Sequence, residues 1–545
     1  MHVPLTPLDF KRRAVQLFGT KTGVVDGVRR FTYREFGERV DALACALLAR
    51  GAQPGDRVAC LAFNSAALLE AYFGVLEAAC ILLPVNIRLK PLEMAYILND
   101  AGVSQVLIDA EFAPAWKETE PELVQRPGVV WIGSDSDAPP VLASAGASSG
   151  RPRPLREDAD YEDILRASAG QKPPPLEIDE NAVAELFYTS GTTGRPKGVM
   201  LTHRNLYLHA LSILACLHAD DSEIHLHTIP LFHVNGWGTP QALTGVGGTH
   251  VMLRRFDPSE VLRLIERERV TRFFAVPTML TMLLNEPSIK SRDLSSLRLI
   301  NTGGAATPPD MIRRAEEAFG CKVFGGYGLS ETSPVVSLAQ LKHHLLDEPV
   351  EKRRQLKATA GLPVLGVYVA IVDEQNTELP WDGEGRGELV VRSNIVTAGY
   401  WGDEDLTRQS MRGGWFHTGD IATIDREGYV SIVDRKKDII ISGGENISSV
   451  EIEKALYEHP SVLESAVIGI PDEQWGEVPR ALVVLKPESS ATEDELLDFC
   501  RGKLAAFKVP KCVEFLPELP KGGTGKILKT VLREPYWSDQ PKRVH

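Results

Sequence analysis

An apolar run from Ala184 to Tyr188 leads without a break into Thr189, Ser190, Gly191, Thr192, Thr193, Gly194, Arg195, Pro196, Lys197 and Gly198. Glycines let a backbone wrap closely around phosphate oxygens and turn its N–H groups toward them. The hydroxyls add donors and a candidate magnesium ligand, and the lysine brings a mobile positive charge. A strand that empties into such a loop is suited to holding a polyphosphate. The spacing is not G-x-x-x-x-G-K-[ST], which argues against the phosphate loop of motors and GTPases.

Three more strings follow in the chain. Gly326, Tyr327, Gly328, Leu329, Ser330, Glu331 and Thr332 put an aromatic face, an acid and hydroxyls into one turn. Trp415-Phe416-His417-Thr418-Gly419-Asp420 ends on an aspartate suited to two ribose hydroxyls, and Gly522-Gly523-Thr524-Gly525-Lys526 carries a lysine behind three glycines. In this order the four strings resemble the adenylate-forming superfamily of acyl-CoA synthetases, luciferases and peptide-synthetase adenylation domains, over about residues 10 to 535.

That resemblance implies ATP, Mg²⁺ and coenzyme A as cofactor and co-substrates, with a small carboxylic acid as the other partner. It implies that Thr189 to Lys197 hold the β and γ phosphates, and that Gly303, Gly304 and Ala305 line the adenine and acyl pocket with Gly326 and Gly328. Tyr327 would pack on adenine, Thr332 meet the α-phosphate, and Glu331 with Thr189 hold the metal. Asp420 and Arg435 would grip the ribose, and Lys526 would bridge the carboxylate and the α-phosphate. Gly522-Gly523 departs from the threonine or proline of many relatives, so a more mobile loop is expected. Lys437 resembles a hinge pivot, and Gly443 with Gly444 an element presented to coenzyme A. The stretch from Pro230 to Gly238, with His233 and Trp237, resembles the substrate-proximal helix start of medium- and long-chain fatty acyl-CoA synthetases. Lys526, Glu331, Thr189 and His233 then form the implied catalytic set.

The chemistry suits these residue types. A carboxylate is a poor electrophile; its attack on the α-phosphorus of ATP displaces pyrophosphate and gives a mixed anhydride whose leaving group is AMP. The barrier is largely the meeting of two anions, so positioned cations matter more than a general base. Gly236 and Gly238 leave room beside Trp237 for an acyl chain, and an aryl acid such as benzoate or cinnamate could use the same space. Loading of a separate carrier protein is a further alternative; the short run after Lys526 leaves no fused carrier.

The elements that must position these groups are legible from periodicity. Phe36, Val40, Leu43, Leu47 and Leu48 mark a helix over Tyr33–Arg50, capped at Gly51. Strands at 57–62 and 81–85 with a helix at 65–79 between them give a βαβ rhythm and a parallel sheet. The alternation resumes at Ala182, with a strand at 297–301, and 361–434 reads as β-rich. A compact unit follows, with helices at 449–457 and 493–504 and strands near 466–470 and 481–485. The expected fold is α/β: a large domain (1–434) of parallel-type sheets covered by helices plus a β-rich subdomain, a hinge (435–437), and a small mobile α+β domain (438–545). Residues 134 to 158, rich in Ser, Ala, Pro and Gly, read as a surface insertion.

Composition sets limits. The 545 residues are 43% hydrophobic and 24% charged, enough for a sizeable core. A net charge of −13 argues against nucleic-acid binding. Seven dispersed cysteines without a C-x-x-C pair suggest reduced thiols. No signal peptide is read at the start. Asn64, Glu70 and Glu77 break the most apolar region, so no stable membrane span is expected and the cytoplasm is the expected location. A homodimer is left open.

If Lys526 neutralises charge that develops only in the transition state, Lys526→Ala lowers adenylation by orders of magnitude while ATP still binds. Isotopic ATP–pyrophosphate exchange measures this directly, and unchanged exchange would refute the role.

Overall fold

The computed structural model describes residues 3–133, 158–189, 195–443, 445–522 and 527–537. The early βαβ unit forms as the periodicity predicts. Thr32 and Glu35 close a capping box at the start of helix Tyr33–Ala49, satisfying each other's backbone N–H. Ser65 caps helix Ala66–Glu77, and the flanking strands Arg57–Leu61 and Ile81–Pro84 pair in parallel. Gly51 takes φ +89° after the first helix, a conformation that costs a glycine little.

Helix Ala66–Glu77 is buried along its whole length, its two glutamates included. Such charges need partners, because an unpaired buried carboxylate costs several kcal/mol. Glu70 receives Arg39 Nε at 2.6 Å and the Tyr161 hydroxyl at 2.7 Å, and Glu77 receives Lys11 Nζ at 2.8 Å. The residues that interrupt the apolar stretch in the sequence thus tie this helix to its neighbours. Among the described residues no helix is long and apolar enough to cross a membrane.

Two large mixed sheets carry the site. One has eight strands, with Val183–Thr189 between parallel Ile81–Pro84 and antiparallel Lys197–Thr202. The other has nine, with a parallel centre that runs through Ile224–His227, Arg272–Ala275, Leu299–Thr302 and Lys322–Gly328. The β-rich region is a separate antiparallel sheet that includes Gly387–Ser393, Trp415–Ile424 and Val430–Arg435. Beyond it, strands Ile440–Ser442, Val462–Asp472 and Gly476–Leu485 belong to a fourth sheet, packed by helix Ser449–Tyr457. The strands expected at 466–470 and 481–485 are parts of one long hairpin, in which Val462–Asp472 pairs with Gly476–Leu485 straight through Pro471 and Pro479. The insertion read at 134–158 falls, except for its last residue, outside the described residues.

The segment read as a helix start at Pro230–Gly238 has a different form. Val234, Asn235, Gly236, Trp237 and Gly238 have φ of 38°, 37°, 50°, 66° and 84°, a full left-handed turn before the right-handed helix that continues to Val246. For L-residues this conformation costs about 1–2 kcal/mol each, so the surroundings must hold it. Asn64 does part of that, donating to the carbonyls of His227 and Ile229 and accepting from Leu231 N–H. Gly238 is required twice over, by its φ and because a Cβ there would stand 2.3 Å from His209 Cε1. That imidazole cannot yield easily, since its Nε2 accepts the Val335 N–H at 3.1 Å. Burial also pushes its pKa down to about 3.

Gly51 and Gly238 share nearly the same φ, but a Cβ on Gly51 would meet nothing within 4 Å. Gly51→Ala is expected to cost about 1 kcal/mol, the backbone price alone, and Gly238→Ala about 3 kcal/mol or more once the steric conflict is added. Thermal unfolding of the two variants checks this; equal shifts in Tm would mean that His209 gives way.

Candidate active site

The strand that precedes the phosphate-type loop is central in its sheet, and Thr189 at its end lies opposite Lys197 at the start of the next strand. Ser190, Gly191, Thr192, Thr193 and Gly194 lie outside the described residues. Around the loop's two ends the structure gathers a polar cluster. Lys197 Nζ lies 5.9 Å from the centre of the Tyr400 ring, and the Tyr400 hydroxyl donates to Glu331 Oε1 at 2.9 Å. The strand Gly399–Tyr400 pairs with Val199 and Met200, and Thr397 N–H donates to the Glu331 carbonyl at 2.7 Å. Burial, followed by the Glu331 charge, raises the Tyr400 pKa, so its hydroxyl stays a donor. Thr189, Lys197 and Glu331 therefore share one region, organised by a tyrosine that the sequence reading passed over. Its signal was weak: a lone Gly-Tyr-Trp-Gly in a turn.

Tyr327, Asp420 and Arg435 form a second group. The Tyr327 hydroxyl donates to Asp420 Oδ2 at 2.5 Å, and Arg435 Nε lies 3.5 Å from Asp420 Oδ1. Asp420 and Arg435 face each other across antiparallel strands, so their proximity follows from register. Burial first, then the Asp420 charge, raises the Tyr327 pKa. Gly328 has no alternative here, because a Cβ would stand 2.1 Å from the Pro334 carbonyl oxygen.

Thr332 is engaged within its own turn. Its hydroxyl is buried and donates within its own turn, to the Pro334 carbonyl at 2.6 Å or that of Leu329 at 3.0 Å, while accepting from Leu329 N–H. Among the described residues the Ser330 hydroxyl has no hydrogen-bond partner. It is the hydroxyl of this turn left for a ligand, and it stood next to Glu331 in the sequence.

The acyl-side residues meet as well. Trp237 stacks on Phe274 with ring centroids 5.5 Å apart, and its Cη2 would lie 3.2 Å from a Cβ on Gly303. The same Cβ would lie 3.1 Å from the Gly326 carbonyl oxygen, so Gly303, Gly326 and Trp237 converge. His233 leads into the left-handed turn, its carbonyl accepting Gly236 N–H at 3.2 Å. Gly304 (φ +79°) and Ala305 are exposed on the following loop, which Thr302 and Thr307 close through their hydroxyls at 2.8 Å.

The remaining candidates stand apart. Lys437 lies in the turn after Arg435, and burial lowers its pKa. Gly443 (φ +59°) donates its N–H to the Trp475 carbonyl at 2.8 Å and lies under that indole, which is 47% exposed. Gly444 and Lys526 lie outside the described residues. The loop that carries Lys526 is closed at its base by pairing of Lys521 with Ile527, and Arg88 reaches the Gly522 carbonyl at 3.3 Å. Ser449 donates its N–H and hydroxyl to Asp434, which fastens the Ser449–Tyr457 helix to the strand before Lys437.

Comparison with known proteins agrees with this arrangement. The family model for AMP-binding enzymes matches residues 10–401, and that for the AMP-binding enzyme C-terminal domain matches residues 451–526. The chain is 37% identical to 4-hydroxybutyrate–CoA ligase 2 of Metallosphaera sedula, over 97% of this chain and 94% of that one. It is 39% identical to the long-chain-fatty-acid–CoA ligase of Thermus thermophilus, over 97% of this chain and 95% of that one. The solved structure of the anthranilate–CoA ligase AuaEII with anthranoyl-AMP superposes with a TM-score of 0.85 at 28% identity, covering 98% of each chain. With its phosphate-type strand exit, its paired Tyr327 and Asp420 and matches along nearly its whole length, the chain belongs to the AMP-binding enzymes, as an adenylate-forming acid–CoA ligase.

Proposed function

We propose that the acid is a medium- to long-chain fatty acid, activated with ATP and passed to coenzyme A. The observation that carries this reading is the contact between Trp237 and Gly303. Position 303 has no side chain, an indole edge occupies the space, and that indole is only half-buried. A movable apolar plate at the mouth of an acyl site suits a flexible chain better than a two-carbon acid. A long-chain-fatty-acid ligase and a feruloyl-CoA synthase are both 39% identical to this chain, so similarity alone is neutral between the fatty-acid and aryl readings. The stacked pair of Trp237 and Phe274 favours one alternative, an aryl acid held against aromatic faces.

In this reading the acid's carboxylate oxygen attacks the α-phosphorus, the bond to the bridging oxygen breaks, and pyrophosphate leaves. The thiol sulfur of coenzyme A then attacks the acyl carbonyl, losing its proton, and AMP departs with its electron pair. Tyr327 and Asp420 hold the nucleoside, with Arg435 beside them. Lys197 and Ser330 meet the phosphates, and Lys526 offsets charge as the two anions approach. The donor set fits Mg²⁺, which is commonly bound by one or two carboxylates together with substrate phosphates and water. Glu331 has one oxygen committed to Tyr400, which leaves the other for the ion, and Thr189, across the strand pair from Lys197, would add its hydroxyl. Such an ion supplies charge neutralisation on the phosphate oxygens. Gly443 with Trp475 offers backbone and an aromatic face to coenzyme A, and rotation about Lys437 would bring them to the acyl-adenylate.

AMP release over a panel of acids decides the substrate. The expected result is a kcat/KM for medium- to long-chain acids about tenfold or more above that for acetate or benzoate, within the range that apolar pocket contacts supply. Release should require coenzyme A and no carrier protein. A preference for benzoate or cinnamate would replace the fatty-acid reading with the aryl one.

A further inference from the structure

Glu185 is the one charged residue within the strand Val183–Thr189, and it is fully buried. Its strand neighbours are Leu82 on one side and Leu201 on the other. Its partners among the described residues are two carboxamides: Asn235 Nδ2 donates to Oε2 at 2.9 Å and Gln241 Nε2 to Oε1 at 2.7 Å. Burial pushes its pKa up to about 8, against the pull of these two donors. A leucine would pack at this position without the desolvation cost of a carboxylate. What the carboxylate adds must lie in what it holds.

The two donors stand on opposite sides of a reversal in helical sense. Asn235 is inside the left-handed turn, and Gln241 belongs to the right-handed helix that follows Gly238. One carboxylate bridges them, so it fixes the turn at both ends. Trp237 lies between the two donors, with its indole edge at Gly303. Residues 185, 187 and 189 share one face of an extended strand, so Glu185 points to the same side as Thr189 at the phosphate end.

We infer that Glu185 is a positioning residue for acid selection: its buried carboxylate pins the left-handed turn through Asn235 and Gln241, and so sets where the Trp237 indole stops and which acids fit beside Gly303. The inference rests on the reading that Trp237 borders the acyl site. Glu185→Gln is the conservative variant. Asn235 Oδ1 is buried without a hydrogen-bond partner, so an amide at 185 can donate to it once Asn235 turns over, while the other oxygen still accepts from Gln241. Glu185→Leu removes both acceptors.

The test is AMP release by the full chain with straight-chain acids of graded length and one aryl acid, reading kcat/KM for each acid and KM for ATP separately. For Glu185→Leu, the ratio of kcat/KM between the two best acids changes by about tenfold, and KM for ATP stays within about twofold. Glu185→Gln keeps the original ratio. An unchanged ratio in Glu185→Leu, or equal rises in both KM values, overturns the inference. Should Glu185→Leu fail to fold, Gln241→Met keeps the volume, removes one donor and must itself shift the ratio away from that of the unmodified chain; no shift there is equally fatal. Trp237→Ala, assayed in parallel, separates the two levels. No change of ratio in it defeats the acyl-site reading, whereas a change there without one in Glu185→Leu defeats the clamp alone.

Discussion

The Tyr327 hydroxyl donates to the buried carboxylate of Asp420, and this contact joins two separate sheets. Tyr327 ends a parallel strand of the nine-stranded sheet, whereas Asp420 lies within the antiparallel β-rich sheet. One sheet supplies the aromatic face and the other the carboxylate, so the nucleoside site proposed above needs both. The bond occupies Asp420 Oδ2, while Arg435 Nε lies beside Oδ1. Arg435 enters by strand register, and the backbone after it leads through Lys437 to the C-terminal sheet.

The acyl side depends on a different constraint, a turn of the wrong hand. Three L-residues with side chains, Val234, Asn235 and Trp237, sit at positive φ. Local preference opposes that conformation, so the tertiary structure must impose it. Asn64 grips the chain just before the turn, His209 fills the space over Gly238, and Glu185 reaches across from the phosphate strand. Strain concentrated next to a candidate pocket, with buried polar groups to hold it, marks a place where shape matters more than stability.

Much of this was legible in the chain. The βαβ rhythm gave the parallel sheet because alternating apolar periods dictate it, and the run of short strands gave the antiparallel subdomain. Candidate nucleotide residues were visible because glycine, hydroxyl and acid types cluster in short strings. The left-handed turn was not visible: Asn-Gly-Trp-Gly reads as a helix start with loose glycines, and the residues that hold the turn, Asn64, His209 and Glu185, are distant in sequence. The internal bonds of Thr332 were likewise not legible: a hydroxyl beside an acid looks free in a string, but here it donates within its own backbone turn. Glu185 did leave a trace, as a charge inside an apolar strand.

Acids as unlike as 4-hydroxybutyrate, long-chain fatty acids and anthranilate appear among similar proteins, so the shared machinery must be the nucleotide end. A crystal structure of the full chain with a non-hydrolysable ATP analogue tests that most directly. The account predicts phosphates between Thr189 and Lys197, the base against Tyr327 and the ribose hydroxyls on Asp420. A triphosphate bound elsewhere, with Asp420 still satisfied by Tyr327 and no nucleoside beside it, would contradict the account.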